Sequence, residues 1–183
     1  SLSLASEMRT PRVLAFDLDP GPPADIVQCC QVALWIRDFM AGHGVQCFPK
    51  TSGSKGMQVY VPINSPASYE DTKRISRGLA QRLEREHPGS VVHRQDKALR
   101  SGKVLIDWSQ NDDSKTTVNV YSLRARPEPT ASTPVTWEEV QSTLAAGSPR
   151  KLVFTADQVR ERVDRMGDLF APVLSLQQTL PEP

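Results

Sequence analysis

Val13 to Leu18 is an apolar, partly β-branched run closed by Pro20, Gly21, Pro22 and Pro23, which predicts a short buried strand running into a turn. The period then changes. Ile26, Cys29, Cys30, Ala33, Leu34, Ile36 and Met40 recur near helical spacing behind Asp25, a good cap, so a helix is predicted to about Ala41, closed by Gly42-His43-Gly44. Val45 to Phe48 reads as a short strand, "KTSGSKG" (50–56) as a loop, and "MQVYVPI" (57–63) as a strand with alternating faces. Ser68 with Asp71 opens a second helix to about His87. "SVVHR" (90–94), "VLIDWS" (104–109) and "TTVNVYS" (116–122) read as strands, the first two joined by the basic connection "DKALRSGK" (96–103). "RPEPTASTP" (126–134) reads as a proline-rich surface turn or linker. Thr136 with Glu139, and Thr155 with Gln158, open two more helices.

This order of elements is α+β, a mixed or antiparallel sheet with helices packed on one side, and not a strict β-α-β-α alternation. At 183 residues one domain is the expectation, with residues 1–12 and 173–183 flexible. A formal charge of +1, with 38% hydrophobic and 23% charged residues, describes an ordinary globular protein. Nucleic-acid binding would need a local basic face. The three cysteines, Cys29, Cys30 and Cys47, have neither zinc-site nor disulfide spacing, and are expected to be reduced core thiols in a cytosolic protein. No apolar run approaches the ~18 residues of a membrane span, and the N-terminus has no signal-peptide character.

Asp17 and Asp19 end the first strand. Alternate residues of a strand point the same way, with Cα atoms roughly 6.5–7 Å apart, so the two carboxylates can converge. At about 5 Å they would repel by roughly 3 kcal/mol at an effective dielectric near 20. A divalent cation removes that penalty, and hard oxygen ligands suit Mg²⁺ or Mn²⁺. A third acid is then expected from a neighbouring strand, and Asp107, after Val104-Leu105-Ile106, is the candidate. A two-ion site would place the cations about 3.5–4 Å apart.

The loop Ser52-Gly53-Ser54-Lys55-Gly56 has small residues that let backbone amides face an anion, with a lysine beside them; it suits a phosphate cradle although it is not a Walker motif. His93, Arg94, Lys97, Arg100 and Lys103 gather around a single Asp96, an anion-facing surface for phosphates or a nucleic-acid backbone. Arg124, just after a strand, offers the same planar fork. His43 and His87 lie at helix ends, as structural groups.

"FDLDPG", "SGSKG" followed by "VYVP", "LRSGKVLIDWSQN", "SKTT" and "YSLRAR" occur in the order seen in the polymerase domain of bacterial ATP-dependent DNA ligase D, a branch of the archaeo-eukaryotic primase superfamily, which this chain resembles from about Val13 to Leu169. The resemblance implies a primase-polymerase catalytic core. It implies a template-directed nucleotidyltransferase that extends or fills DNA ends in non-homologous end joining, often preferring ribonucleotides. DNA ends and nucleoside triphosphates would be its substrates, Ku and a DNA ligase its partners, and two Mn²⁺ or Mg²⁺ ions its cofactors. By motif, Asp17, Asp19 and Asp107 match metal ligands; Ser52, Gly53, Ser54 and Lys55 match triphosphate contacts; Gln110, Arg100 and Arg124 match further nucleotide-binding positions. Two departures stand out. Gln58 occupies a nucleotide-binding position where the family has histidine; it can donate a hydrogen bond but carries no charge. And where family members carry a long segment before the first strand, only twelve residues precede Val13, which puts DNA-end recognition in question.

Two other classes fit parts of the pattern. A catalytically weakened nucleic-acid-binding module fits Gln58 and the short N-terminal segment. A haloacid-dehalogenase-like phosphatase also ends its first strand in DxD, but wants Thr or Val two residues past the second acid, where this chain has Gly21 after Pro20.

Overall fold

The structure, a computed structural model, describes residues 11–111, 121–124 and 129–181, with only the backbone of Arg124. β1 spans Val13–Pro20, β2 Phe48–Thr51, β3 Met57–Pro62, β4 Val91–Val92 and β5 Val104–Asp107. They form one mixed sheet in the order β2–β3–β1–β5–β4. β1 runs antiparallel to both β3 and β5, and β4 runs parallel to β5. A two-stranded sheet pairs β6 (Leu123–Arg124) with β7 (Thr130–Ala131).

Alternation divides the sheet into two faces. Leu14, Phe16 and Leu18 of β1, Met57, Val59 and Val61 of β3, and Val104 and Ile106 of β5 enter one large core. That core is shared with α1 (Ile26–Gly42) and α2 (Tyr69–Glu86). Each fully buried leucine or phenylalanine contributes about 1.5–3 kcal/mol, so this face fixes the register of β1. α1 is buried along much of its length and is held at its start by Asp25, which accepts from Val27 N while Gln28 accepts from Asp25 N. α2 is amphipathic, burying Ile75, Leu79 and Leu83 behind the Ser68–Asp71 cap. α3 (Trp137–Ala146) and α4 (Ala156–Met166) start at the predicted caps, Thr136 and Thr155. His87 caps α2 and stacks on Trp35 at 3.6 Å, and His43 bonds Phe39 O. All three cysteines are free and buried, and burial pushes the Cys30 and Cys47 thiols up to about 12.

Several elements differ from expectation. The second strand begins at Phe48, not Val45, and takes in Lys50 and Thr51, which read as loop. The polar side chains are tolerated in this strand because a distant segment satisfies them: Thr51 Oγ1 accepts from Thr133 N at 3.0 Å, and Lys50 Nζ donates to Ser132 Oγ at 2.9 Å. That segment lies within the expected surface turn, yet Ala131, Ser132, Thr133 and Pro134 are buried. Helices do not keep to one side of the sheet. α5 (Ala171–Ser175) follows Phe170, and Phe170 and Val173 pack with Ala15 and Tyr60 on the face opposite the main core. The tail after Pro172, expected to be loose, is pinned there, with Gln178 Nε2 donating to Pro62 O and Gln46 O, both at 2.9 Å. The predicted strand 116–122 lies outside the described residues up to position 120.

β5 ends at Asp107, leaving the β1 backbone at Ala15 without a ladder partner on that side. Asn111 fills the gap: its Oδ1 accepts from Ala15 N at 2.7 Å and its Nδ2 donates to Ala15 O at 2.8 Å, so a side-chain amide imitates a strand. Replacing Asn111 by alanine strands two buried backbone groups, and Asn111→Ala is expected to lower the unfolding free energy by about 2–4 kcal/mol, read from urea denaturation.

Candidate active site

Register brings the polar residues of four strands into one row. Lys50 of β2 pairs with Gln58 of β3, Gln58 with Asp17 of β1, and Asp17 with Asp107 of β5. Directly paired residues share a face, so cation, amide, carboxylate and carboxylate stand side by side, opposite the apolar core. Asp19 sits one pleat further along the same face. The amide and the carboxylates border a cavity of about 300 Å³ whose wall includes Asp17, Asp19, Asp107, Gln58 and Gln110, with Ser52, Ser54, Lys55 and Gly56 of the loop, Gln95, and Arg100 of the basic connection. A roomier cleft of about 720 Å³, bordered by Val45, Phe48, Trp137 and Leu169, is mainly apolar and holds none of the residues of that polar row. The smaller cavity, with converging polar groups and a perturbed acid, is the candidate site.

The loop is built to enter this cavity. Gly53 takes φ +72°, a left-handed conformation that glycine adopts without strain. Ser52 Oγ accepts from Ser54 N at 3.2 Å and Gly56 N at 3.3 Å, while Ser52 N donates to Gly56 O at 3.0 Å. Gly56 must be glycine because a Cβ there would lie 2.1 Å from Leu18 O, between the two acids of β1. On the far side Gly21 meets the basic connection, where a Cβ would lie 2.1 Å from Arg100 O. Two close backbone approaches thus set loop and arginine against the end of β1.

Each carboxylate has a protein donor. Asp107 Oδ1 accepts from Ser109 N (2.9 Å) and Ser109 Oγ (2.6 Å), and its Oδ2 from Gln110 Nε2 at 3.4 Å. Asp19 pairs with Arg100 Nη1 at 3.2 Å, and Arg100 Nη2 also donates to Gln95 O and Oε1. Gln58, buried, donates to Asp17 and accepts from Tyr60 Oη at 3.3 Å. Asp17 is nonetheless pushed up to about 6. Burial is the main cause, the Gln58 hydrogen bond opposes it, the charges of Asp107 and Asp19 add to it, and Lys50 relieves it. The cluster is short of positive charge. Among the described residues no three His, Cys, Asp or Glu side chains are arranged to hold a metal ion as they stand, because Asp19 is drawn to Arg100 and Asp107 to its own turn. A cation would have to displace those donors. The donor set is nevertheless all hard oxygen and under-neutralised, which fits Mg²⁺ or Mn²⁺. Arg100 Nε is buried with no hydrogen-bond partner.

Of the residues named from sequence, Asp17, Asp19, Asp107, Ser52, Ser54, Lys55, Gln58, Arg100 and Gln110 line this one cavity. Gly53 lines an adjoining one of about 190 Å³ on the other side of the loop. The side chain of Arg124 lies outside the described residues. Sequence reasoning missed Lys50, Gln95, Ser109 and Asn111. Lys50 carried a signal, a lysine two residues before the loop, but its burial depends on partners far along the chain.

The sequence model of the family described as LigD, primase-polymerase domain, matches residues 1–170. The chain is 42% identical over 160 residues to the multifunctional non-homologous end joining protein LigD of Mycolicibacterium smegmatis, covering 87% of this chain and 20% of that protein. It is 30% identical to the bifunctional non-homologous end joining protein LigD of Bacillus subtilis over 87% of this chain and 25% of that one. The polymerase domain of Mycobacterium tuberculosis ligase D, solved in complex with DNA, superposes with a TM-score of 0.83 at 40% identity, over 92% of this chain and 57% of that one. The chain thus spans about a fifth to a quarter of the curated relatives' length.

With Asp17 raised from 3.8 to about 6, the folded chain keeps a proton that the unfolded chain releases between these values. Stability therefore falls as pH rises from about 4 to about 6, and the deficit, up to about 3 kcal/mol, is complete above. Asp17→Asn is expected to stabilise the metal-free chain by up to about this much at pH 8 and by far less at pH 4.5; denaturation curves at the two pH values test it, and an equal gain at both excludes charge as the source.

Proposed function

Because the chain belongs to the LigD primase-polymerase domain family, we propose that it is a template-directed nucleotidyltransferase that extends or fills DNA ends during non-homologous end joining. The observation that carries this reading is the single cavity in which Asp17, Asp19 and Asp107 face a serine-glycine-lysine loop. In the proposed reaction a primer 3′-hydroxyl attacks the α-phosphate of a bound nucleotide, forming the O3′–P bond and breaking the bond to pyrophosphate. Asp17, Asp19 and Asp107 would hold divalent cations, Mn²⁺ or Mg²⁺, whose charge neutralises the acids and acidifies the attacking hydroxyl. The chain's own groups do the rest. Lys55, on the cavity wall, receives the triphosphate. Arg100, with one donor unpartnered, exchanges Asp19 for phosphate oxygens and stabilises charge as it moves to the leaving group. Gln58 and Gln110 orient Asp17 and Asp107. The DNA seen on the mycobacterial domain supports a nucleic-acid substrate here. Among the described residues no helix is long and apolar enough to cross a membrane. Family membership removes the phosphatase alternative.

One observation favours a second reading, a DNA-binding module without catalysis: all three carboxylates are already engaged by protein donors. Both readings meet in one experiment. Mn²⁺-dependent extension across a gapped duplex is expected for the wild type, with ribonucleotides and deoxyribonucleotides compared side by side. Asp17→Ala and Asp107→Ala are expected to lower it by roughly a thousandfold without loss of DNA binding. Equal incorporation by wild type and variants defeats the assignment; salt-dependent DNA binding with no incorporation favours the second reading.

A further inference from the structure

The segment Thr130–Thr133 lies against the start of the phosphate-facing loop and bonds it repeatedly. Thr130 Oγ1 donates to Gly53 O at 2.6 Å. Ser132 Oγ donates to Thr51 O at 2.9 Å and accepts from Lys50 Nζ at 2.9 Å. Thr133 N donates to Thr51 Oγ1 at 3.0 Å, and Thr51 N donates back to Thr133 O at 2.8 Å. The strap is itself anchored, since Ala131 N donates to Phe154 O at 3.0 Å and Arg162 Nη2 donates to Pro134 O at 3.1 Å.

The bond to Gly53 differs from the others. The Gly53 carbonyl and the Ser54 amide belong to one peptide unit. Its oxygen is held by Thr130 and its N–H by Ser52 Oγ, so the plane is fixed at both ends. A loop with glycine at positions 53 and 56 has much conformational freedom to lose. If that freedom were lost only when a nucleotide bound, affinity would suffer by the same amount. A peptide plane fixed beforehand removes that loss and keeps the loop, with Lys55, set beside the cavity.

We propose that Thr130 is a positioning residue for nucleotide binding: its hydroxyl, delivered by the Thr130–Thr133 strap, fixes the Gly53–Ser54 peptide and so holds the Ser52–Gly56 loop in its phosphate-accepting shape before a nucleotide arrives. The inference rests on the polymerase reading of the site. Threonine touches no reacting atom; it acts through the loop.

Thr130→Val keeps the branched shape and removes the donor. It is expected to raise the Kd for ATP with Mn²⁺, measured by calorimetry on the full chain, and the KM for the same nucleotide in gap extension, each about tenfold, with kcat changed by less than about threefold. Thr130→Ser is expected to restore both. Amide hydrogen exchange at Ser54 and Gly56, measured without nucleotide, is expected to quicken in Thr130→Val and return in Thr130→Ser. Ser132→Ala, which spares Thr130, gives the same direction with a smaller rise, and serves if Thr130→Val does not fold. A lower Tm with unchanged Kd and unchanged loop exchange makes Thr130 merely structural and overturns the inference, as does a fall in kcat at constant KM. A wild type that binds no nucleotide removes the polymerase reading along with this one; a wild type that binds while Thr130→Val matches it removes this one alone.

Discussion

The antiparallel pairing of β1 with β5 sets Asp17 directly opposite Asp107, and the rest of the site follows from that register. Like charges facing each other across a ladder are destabilising. The pairing survives because it is decided on the other face of the sheet, where Leu14, Phe16 and Leu18 are buried with Met57, Val59, Val61, Val104 and Ile106. A slip of one residue would move Asp17 and Asp19 into that core and Phe16 and Leu18 into the cavity. Core packing therefore holds the acids together against their own repulsion.

The cost of that arrangement is visible in the site and offset around it. Asp17 is raised by burial and by its neighbours' charges, and Arg100 keeps a buried donor without a partner. Both features are unfavourable for folding alone. The neighbouring structure is correspondingly firm. Asn111 completes β1 where β5 stops, Gly21 and Gly56 permit close backbone contact on either side of the strand end, and the tail at Gln178 ties down the far end of β3.

The parts legible from sequence are those written locally. Asp25, Ser68, Thr136 and Thr155 each bond a residue within the next turn, so the four helix starts follow from short-range chemistry alone. The central strand is legible because its apolar residues alternate with acids at its end. What escapes is polar chain satisfied from afar. Lys50 and Thr51 look like loop because nothing nearby in sequence compensates them; their partners Ser132 and Thr133 lie 82 residues on and look like linker themselves. Neither half is interpretable without the other. The same holds for the tail, where Gln178 has no apolar pattern to announce it and is fixed by Gln46, 132 residues earlier.

Gln58 is where local and long-range readings meet. By motif it stands where the resemblance leads one to expect histidine. Within the row it is held at both ends of its amide, accepting from Tyr60 Oη and donating to Asp17, and it stands between Asp17 and Lys50. An amide so fixed has one orientation, and it spends its donor on the acid rather than on a ligand. Lys50 stands in the row on the other side of Gln58, and Lys55 and Arg100 line the cavity wall, so cationic side chains lie around the amide. Gln58 thus leaves the cationic side chains to its neighbours, while the row keeps in Asp17 a carboxyl that burial raises to about 6.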